Sequence, residues 1–215
     1  MQYNKQISFN LVIITLITIL IGLGFIYFID SLKIKPAITP SFNERAQFKN
    51  IILAGKNLDI PLSWFSENTQ KNTSISDKIN LHFILPLGKN NRQIKIEASL
   101  QPLRKTISSA NLLDSVYLHQ FSNEQKKGVV GLIGKPLKGI EGFRGETVWY
   151  DPLSANPFVA KCMDKIPQGQ KQQCIRTVAI NKQIAITYVF DFEVLQNWKN
   201  FDNEANKWLN EIKGL

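Results

Sequence analysis

Glu141, Glu146 and Asp151 fall close together in the chain, with Arg144 between the first two. Paired carboxylates that face each other across a substrate can serve as general acid and general base. These residues close and follow a glycine-rich basic segment, KKGVVGLIGKPLKGIEGFRG, running from Lys126 to Gly145. A phosphate-cradling loop needs G-x-x-x-x-G-K-[ST], whose backbone amides hold the phosphates and whose hydroxyl meets magnesium. Here Gly128 stands one residue too far from Gly134, and Pro136 occupies the place of the hydroxyl. The segment therefore reads as a solvent-facing glycine-rich strand and turn. Glu141, Arg144, Glu146 and Asp151 remain loop candidates for a site, without an assigned catalytic role. The chain has no G-x-S-x-G, no H-E-x-x-H and no Ser three residues before a Lys.

Cys162 and Cys174 are the only cysteines. The polar stretch between them carries Pro167 and Gly169, as a turn-forming loop should. Segments with apolar or alternating character flank it on both sides. Two strands stapled across a loop is the simplest arrangement, and closing such a loop stabilises a fold by about 3 kcal/mol in the chain-entropy model. A redox pair would favour C-x-x-C, and zinc would need four ligands when the only histidines, His82 and His119, lie far away in sequence. Two reduced thiols would suit a cytoplasmic domain. The reading taken is a structural disulfide, with no metal and no cofactor.

Positioning elements begin with Phe9 to Ile29, FNLVIITLITILIGLGFIYFI, which holds no charged side chain. Its length matches the ~20 residues a helix needs to cross ~30 Å of hydrocarbon. A cleaved signal peptide has a shorter apolar stretch of ~7–15 residues followed by a small-x-small site, which is missing here. Residues 9–29 are thus expected to be a retained transmembrane helix in contact with the lipid bilayer, after a cytoplasmic tail of residues 1–8. The flank after it carries Lys33, Lys35, Arg45 and Lys49 against Lys5 before it, which on the positive-inside rule points the domain inward. The acid-free tail resembles the n-region of an export signal, and the cysteines favour an oxidising compartment. These two arguments place the domain outside the inner membrane, in the periplasm.

The chain carries 26 Lys and Arg against 17 Asp and Glu, a formal charge of +9. Only Arg45, Arg92, Arg104, Arg144 and Arg176 are arginines, whereas phosphate and base recognition favours the guanidinium fork. The excess is lysine in a chain also rich in Ile and Asn, so no nucleic-acid partner is expected.

Residues 30–48, with Pro36 and Pro40, read as an extended linker. A single domain then spans residues 49–215, long enough for one sizeable core. Asn50–Ala54 and Leu58–Leu62 form a hairpin pattern around Gly55-Lys56-Asn57. Lys78–Leu85 alternates with Ile79, Leu81 and Phe83 on one face and His82 on the other, and Arg92–Glu97 alternates likewise. Ser108–Asp114 reads as a short helical turn feeding a strand at Val116–Phe121. Further strands are expected at Val129–Ile133, Glu146–Tyr150 and Phe158–Lys161, with a final hairpin of Arg176–Ile180 and Ile184–Phe190. From Phe192 to Lys213 the period changes: Val194, Leu195, Trp198, Phe201, Ala205, Trp208, Leu209 and Ile212 are spaced by three and four, as on an amphipathic helix. The fold class is α+β, a mostly antiparallel sheet closed by a C-terminal helix.

The order of Leu112-Leu113-Asp114-Ser115-Val116-Tyr117-Leu118, Tyr150-Asp151-Pro152 and Asn156-Pro157-Phe158-Val159-Ala160-Lys161-Cys162, with Cys174 later, resembles a family of membrane-anchored proteins of alphaproteobacteria to which no activity is assigned. The likeness extends from about Asn50 onward. It implies a bacterial inner-membrane protein with a periplasmic domain and carries over no catalytic residue. The expected function is that of an envelope binding module with a protein partner. The alternatives are an envelope hydrolase or transferase acting on cell-wall or lipid material, and a subunit of a transport or secretion complex.

Overall fold

The computed structural model describes residue 20 and residues 47–65, 74–87, 92–139, 144–163 and 171–215. The chain divides into two units, Met1–Arg45 and Ala46–Leu215. The expected tail, transmembrane segment and linker lie outside the described residues, apart from Leu20 and the linker's last two positions. Among the described residues no helix is long and apolar enough to cross a membrane.

The second unit is α+β, as its patterning requires. Strands β1 (Phe48–Leu53) and β2 (Lys56–Pro61) form a hairpin. Its two-residue turn, Ala54-Gly55, has positive φ at both positions (53° and 79°), the backbone twist that suits a tight antiparallel connection. The main sheet contains β3 (Ile79–Pro86), β4 (Gln93–Pro102), β5 (Ile133–Pro136), β6 (Glu146–Tyr150), β7 (Val159–Met163), β8 (Gln173–Ala179) and β9 (Ile184–Asp191). Its order is β3-β4-β9-β8-β7-β6-β5, and every pairing is antiparallel. The chain leaves β4, crosses to the far edge at β5, and returns strand by strand until β9 lies against β4.

Period-two alternation sends one set of side chains to the core. Leu81, Phe83, Ile96, Ala98, Leu100, Ile186, Tyr188, Phe190 and the two cysteines are buried on that face. Helix α3 (Trp198–Leu209) closes it with Phe201, Ala205, Trp208 and Leu209. The Trp208 indole lies between Trp64 and Phe83, with ring centroids 3.9 and 3.7 Å away, so it joins the sheet to the segment after β2. The apolar spacing fits a helix from Phe192 onward, yet Phe192–Asn197 is a 3-10 helix and the α-helix ends at Leu209. Lys213 instead extends the small hairpin by pairing with Asp59.

A second, smaller cluster covers the other face of β5, β6 and β7. Helix α1 (Ser109–Leu112) runs without a break through a π-helical turn, Leu113–Tyr117, into α2 (Leu118–Gln120). Ser108 caps it, its hydroxyl accepting from the Asn111 N–H at 3.2 Å. Leu113 and Tyr117, four apart, pack on Val148 and Val159. The expected strand at Val116–Phe121 is therefore helical up to Gln120, because the i, i+4 pair wins over an alternation only six residues long. The expected strand at Val129–Ile133 is also displaced. Gly128 and Gly131 have positive φ (141° and 85°), and the Gln196 and Trp198 side chains donate to the carbonyls of Gly128 and Val130 at 2.9 Å each. A turn results, and the strand starts at Ile133.

Candidate functional site

Of the carboxylates singled out in the sequence, Glu146 and Asp151 do not converge. Glu146 opens β6 and Asp151 follows its last residue, which puts them about 17 Å apart at ~3.3 Å per residue. Glu146 accepts two hydrogen bonds from the Lys161 ammonium, at 2.7 and 2.9 Å, from the neighbouring β7. Asp151 accepts from the Leu153 N–H at 3.0 Å and so holds the turn after β6. Arg144 lies exposed in the turn before that strand. Glu141 lies outside the described residues. Among the described residues no group of three or more His, Cys, Asp or Glu stands close enough to hold a metal ion.

Beneath the π-turn, burial first and then the Glu146 charge push the Tyr117 hydroxyl up to about 12. Tyr117, Glu146 and Lys161 thus form one small polar group under a helix. Its ion pair is already satisfied within the sheet.

The disulfide is present, and it sits inside the sheet. Cys162 and Cys174 are directly opposed in β7 and β8 with Cα atoms 4.0 Å apart, and both are fully buried. The ladder they staple is short. Only Lys161↔Ile175 and Cys162↔Cys174 are aligned. Continuing that register would set Val159 against Thr177 and Pro157 against Ala179. The strands have already parted at Val159 and Thr177, and Pro157, with no N–H to give to a ladder, cannot resume the pairing beyond them.

Side chains replace the lost backbone bonds. The Thr177 N–H donates to the buried Ser109 hydroxyl at 2.8 Å. The Val159 carbonyl accepts from Arg176 Nη1 at 3.1 Å. Arg176 is buried on the core face, and its other nitrogens donate to Asp202 of α3, Nε to Oδ1 at 3.1 Å and Nη2 to Oδ2 at 2.6 Å. Its guanidinium also stacks 4.2 Å from the Phe158 ring centroid. Nearby, burial raises the Tyr188 hydroxyl pKa, with the Asp202 carboxylate adding to the effect and Arg176 opposing it.

A cleft of about 520 Å³ opens where the strands part. Asn111, Asn156 and Asn206 line it together with Thr177, Val178 and Ala179 of β8. Bonds from β8 to β9 use the even-numbered residues, as Ile180 N–H to Ile184 C=O shows. The odd-numbered residues Thr177 and Ala179 therefore turn their backbone groups toward the cleft. A second cleft, about 360 Å³, lies on the open face of β3, β4 and β9 around His82, Lys95, Glu97 and Thr187.

The gap was not anticipated from sequence, although a signal existed. Arg176 lies two residues after a buried cysteine on one strand, so it shares the core face and must find an acid there. The fold and site together define an antiparallel α+β domain, stapled by a disulfide and notched between two central strands. No family model, curated protein or solved structure matches the chain.

Proposed function

We propose that the chain is an inner-membrane-anchored envelope protein, of the alphaproteobacterial kind its segments resemble, whose periplasmic α+β domain binds another protein. The buried Cys162–Cys174 disulfide carries this reading, since such bonds persist in oxidising compartments and are rare in the cytosol. The uncharged run from Phe9 to Ile29 supplies the tether. The notch between β7 and β8, open to solvent where the described residues show no ladder beyond Lys161↔Ile175, supports a binding role over a purely structural one. Fusing a reporter that is active only after export to the C-terminus tests the address. An active fusion, with the native chain found in the membrane fraction, is the expected result. An inactive fusion, or a native chain that stays in the soluble fraction without detergent, overturns the proposal.

A further inference from the structure

We infer that the notch between β7 and β8 receives an extended, uncharged polypeptide segment of the partner, which adds to Thr177–Ala179 as a short strand. This deepens the binding-module reading and rests on it. Four observations converge on the site. Ala179 turns both its N–H and its C=O toward the cleft, and Thr177 turns its carbonyl there, because the β7–β8 ladder stops after Lys161↔Ile175 and Pro157, opposite Ala179, has no N–H to offer. Backbone groups of this kind recognise another backbone, and strand addition takes its affinity from them. Among apolar neighbours such as Val178 and Leu209, the uncharged polar part of the walls is short amides and hydroxyls, Asn111, Asn156, Asn206 and Ser108 among them, suited to bonding peptide groups. The one charged pair at the site, Arg176 with Asp202, is self-neutralising, so nothing there selects a charged side chain. The volume lies within the ~300–1,000 Å³ typical of ligand clefts. It suits a few residues of extended chain.

The open face of β3, β4 and β9 is a poorer candidate, because its polar side chains mix both signs of charge and favour no single occupant. The Glu146–Lys161 pair beside Tyr117 is already satisfied within the sheet.

The test pans a phage-displayed library of random decapeptides on the full-length chain in mild detergent, and measures each enriched peptide by fluorescence anisotropy. Ala179→Pro removes the donor that faces the cleft without removing a bond to β9, and it is expected to weaken binding at least tenfold. Lys95→Ala, on the open face, is expected to leave affinity within twofold. Should Ala179→Pro fail to fold, N-methylation of the peptide at alternate positions gives the same reading from the other side. One alternating set of methyl groups is expected to abolish binding and the other set to be tolerated. Failure to enrich any peptide above detergent alone overturns strand addition. So does binding that neither the proline nor either methyl set disturbs, although such peptides leave the broader binding-module reading standing. The export fusion judges the address independently of the cleft.

Discussion

The Ser109 hydroxyl accepts a hydrogen bond from the backbone N–H of Thr177 at 2.8 Å, across 68 residues of sequence. Both residues are buried. A helix N-terminus thereby supplies the acceptor that a neighbouring strand would otherwise provide, so the parting of β7 and β8 leaves no orphaned donor at this point. Removing the hydroxyl strands that donor away from water, which costs about 1–3 kcal/mol. Ser109→Ala is expected to lower stability by that order in chemical denaturation, with an unchanged denaturant slope. Amide exchange at Thr177 should accelerate more than at its neighbours. Equal exchange in both proteins would detach the hydroxyl from this role.

Arg176 performs three tasks that a lysine cannot combine. It bonds the Val159 carbonyl, grips both Asp202 oxygens and stacks on Phe158. A single ammonium offers a point charge without the planar fork. Arg176→Lys is therefore expected to destabilise the domain by about 1–3 kcal/mol, since Arg176 is buried while the Asp202 side chain is 42% exposed and keeps part of its hydration. The double variant Arg176→Met with Asp202→Leu should recover part of that loss, since it leaves no buried charge without its partner, although Asp202 is only half-buried. The Val159 carbonyl would still lack its donor, so recovery should stay incomplete. Thermal melts of the three proteins decide the matter.

The disulfide closes a loop with a sequence separation of 12, and chain entropy assigns such a loop about 3 kcal/mol. It also fixes the one stretch where β7 and β8 remain in register. Cys162→Ala with Cys174→Ala is expected to cost at least that much, the added part coming from atoms lost in a fully buried site. Because neither sulfur is solvent-accessible, reduction by dithiothreitol should be slow under native conditions and should follow opening of the sheet. Rapid native-state reduction, followed by alkylation and mass spectrometry, would contradict this burial.

What the sequence made legible follows from period. Strands β3 and β4 alternate against the main core, β6 and β7 are apolar toward both clusters, and the apolar spacing of α3 leaves little choice of partner face. The stretch from Leu113 to Phe121 misleads because Val116 and Leu118 alternate while Leu113 and Tyr117 repeat at helical spacing, and only the neighbouring Val148 and Val159 decide between them. Glu146 and Asp151 stand apart for a different reason. Glu146 and Asp151 are near in sequence, but a strand separates neighbours by more than 3 Å per residue, so an extended segment drives them apart. The cleft itself depends on a register, Pro157 against Ala179, that emerges only once the disulfide pair is known.

Tyr117 supplies a pH signature for the cluster under the π-turn. Its hydroxyl is held up to about 12, first by burial and then by the Glu146 carboxylate, against 10.0 for an ordinary tyrosine. Below pH 10 the phenol is protonated in both the folded and unfolded chain, and its contribution to stability is fully present. Between pH 10 and about 12 the unfolded chain releases the proton while the folded chain keeps it. Unfolding is then favoured as pH rises, and this contribution is lost as pH passes through the folded value. Tyr117→Phe should flatten the decline in stability across that window and remove one late-titrating phenolate from the ultraviolet difference spectrum. Glu146→Gln removes the secondary cause, so the late phenolate should move to lower pH without reaching the ordinary tyrosine value. A spectrum identical in wild type and Tyr117→Phe above pH 11 would show that this hydroxyl titrates elsewhere.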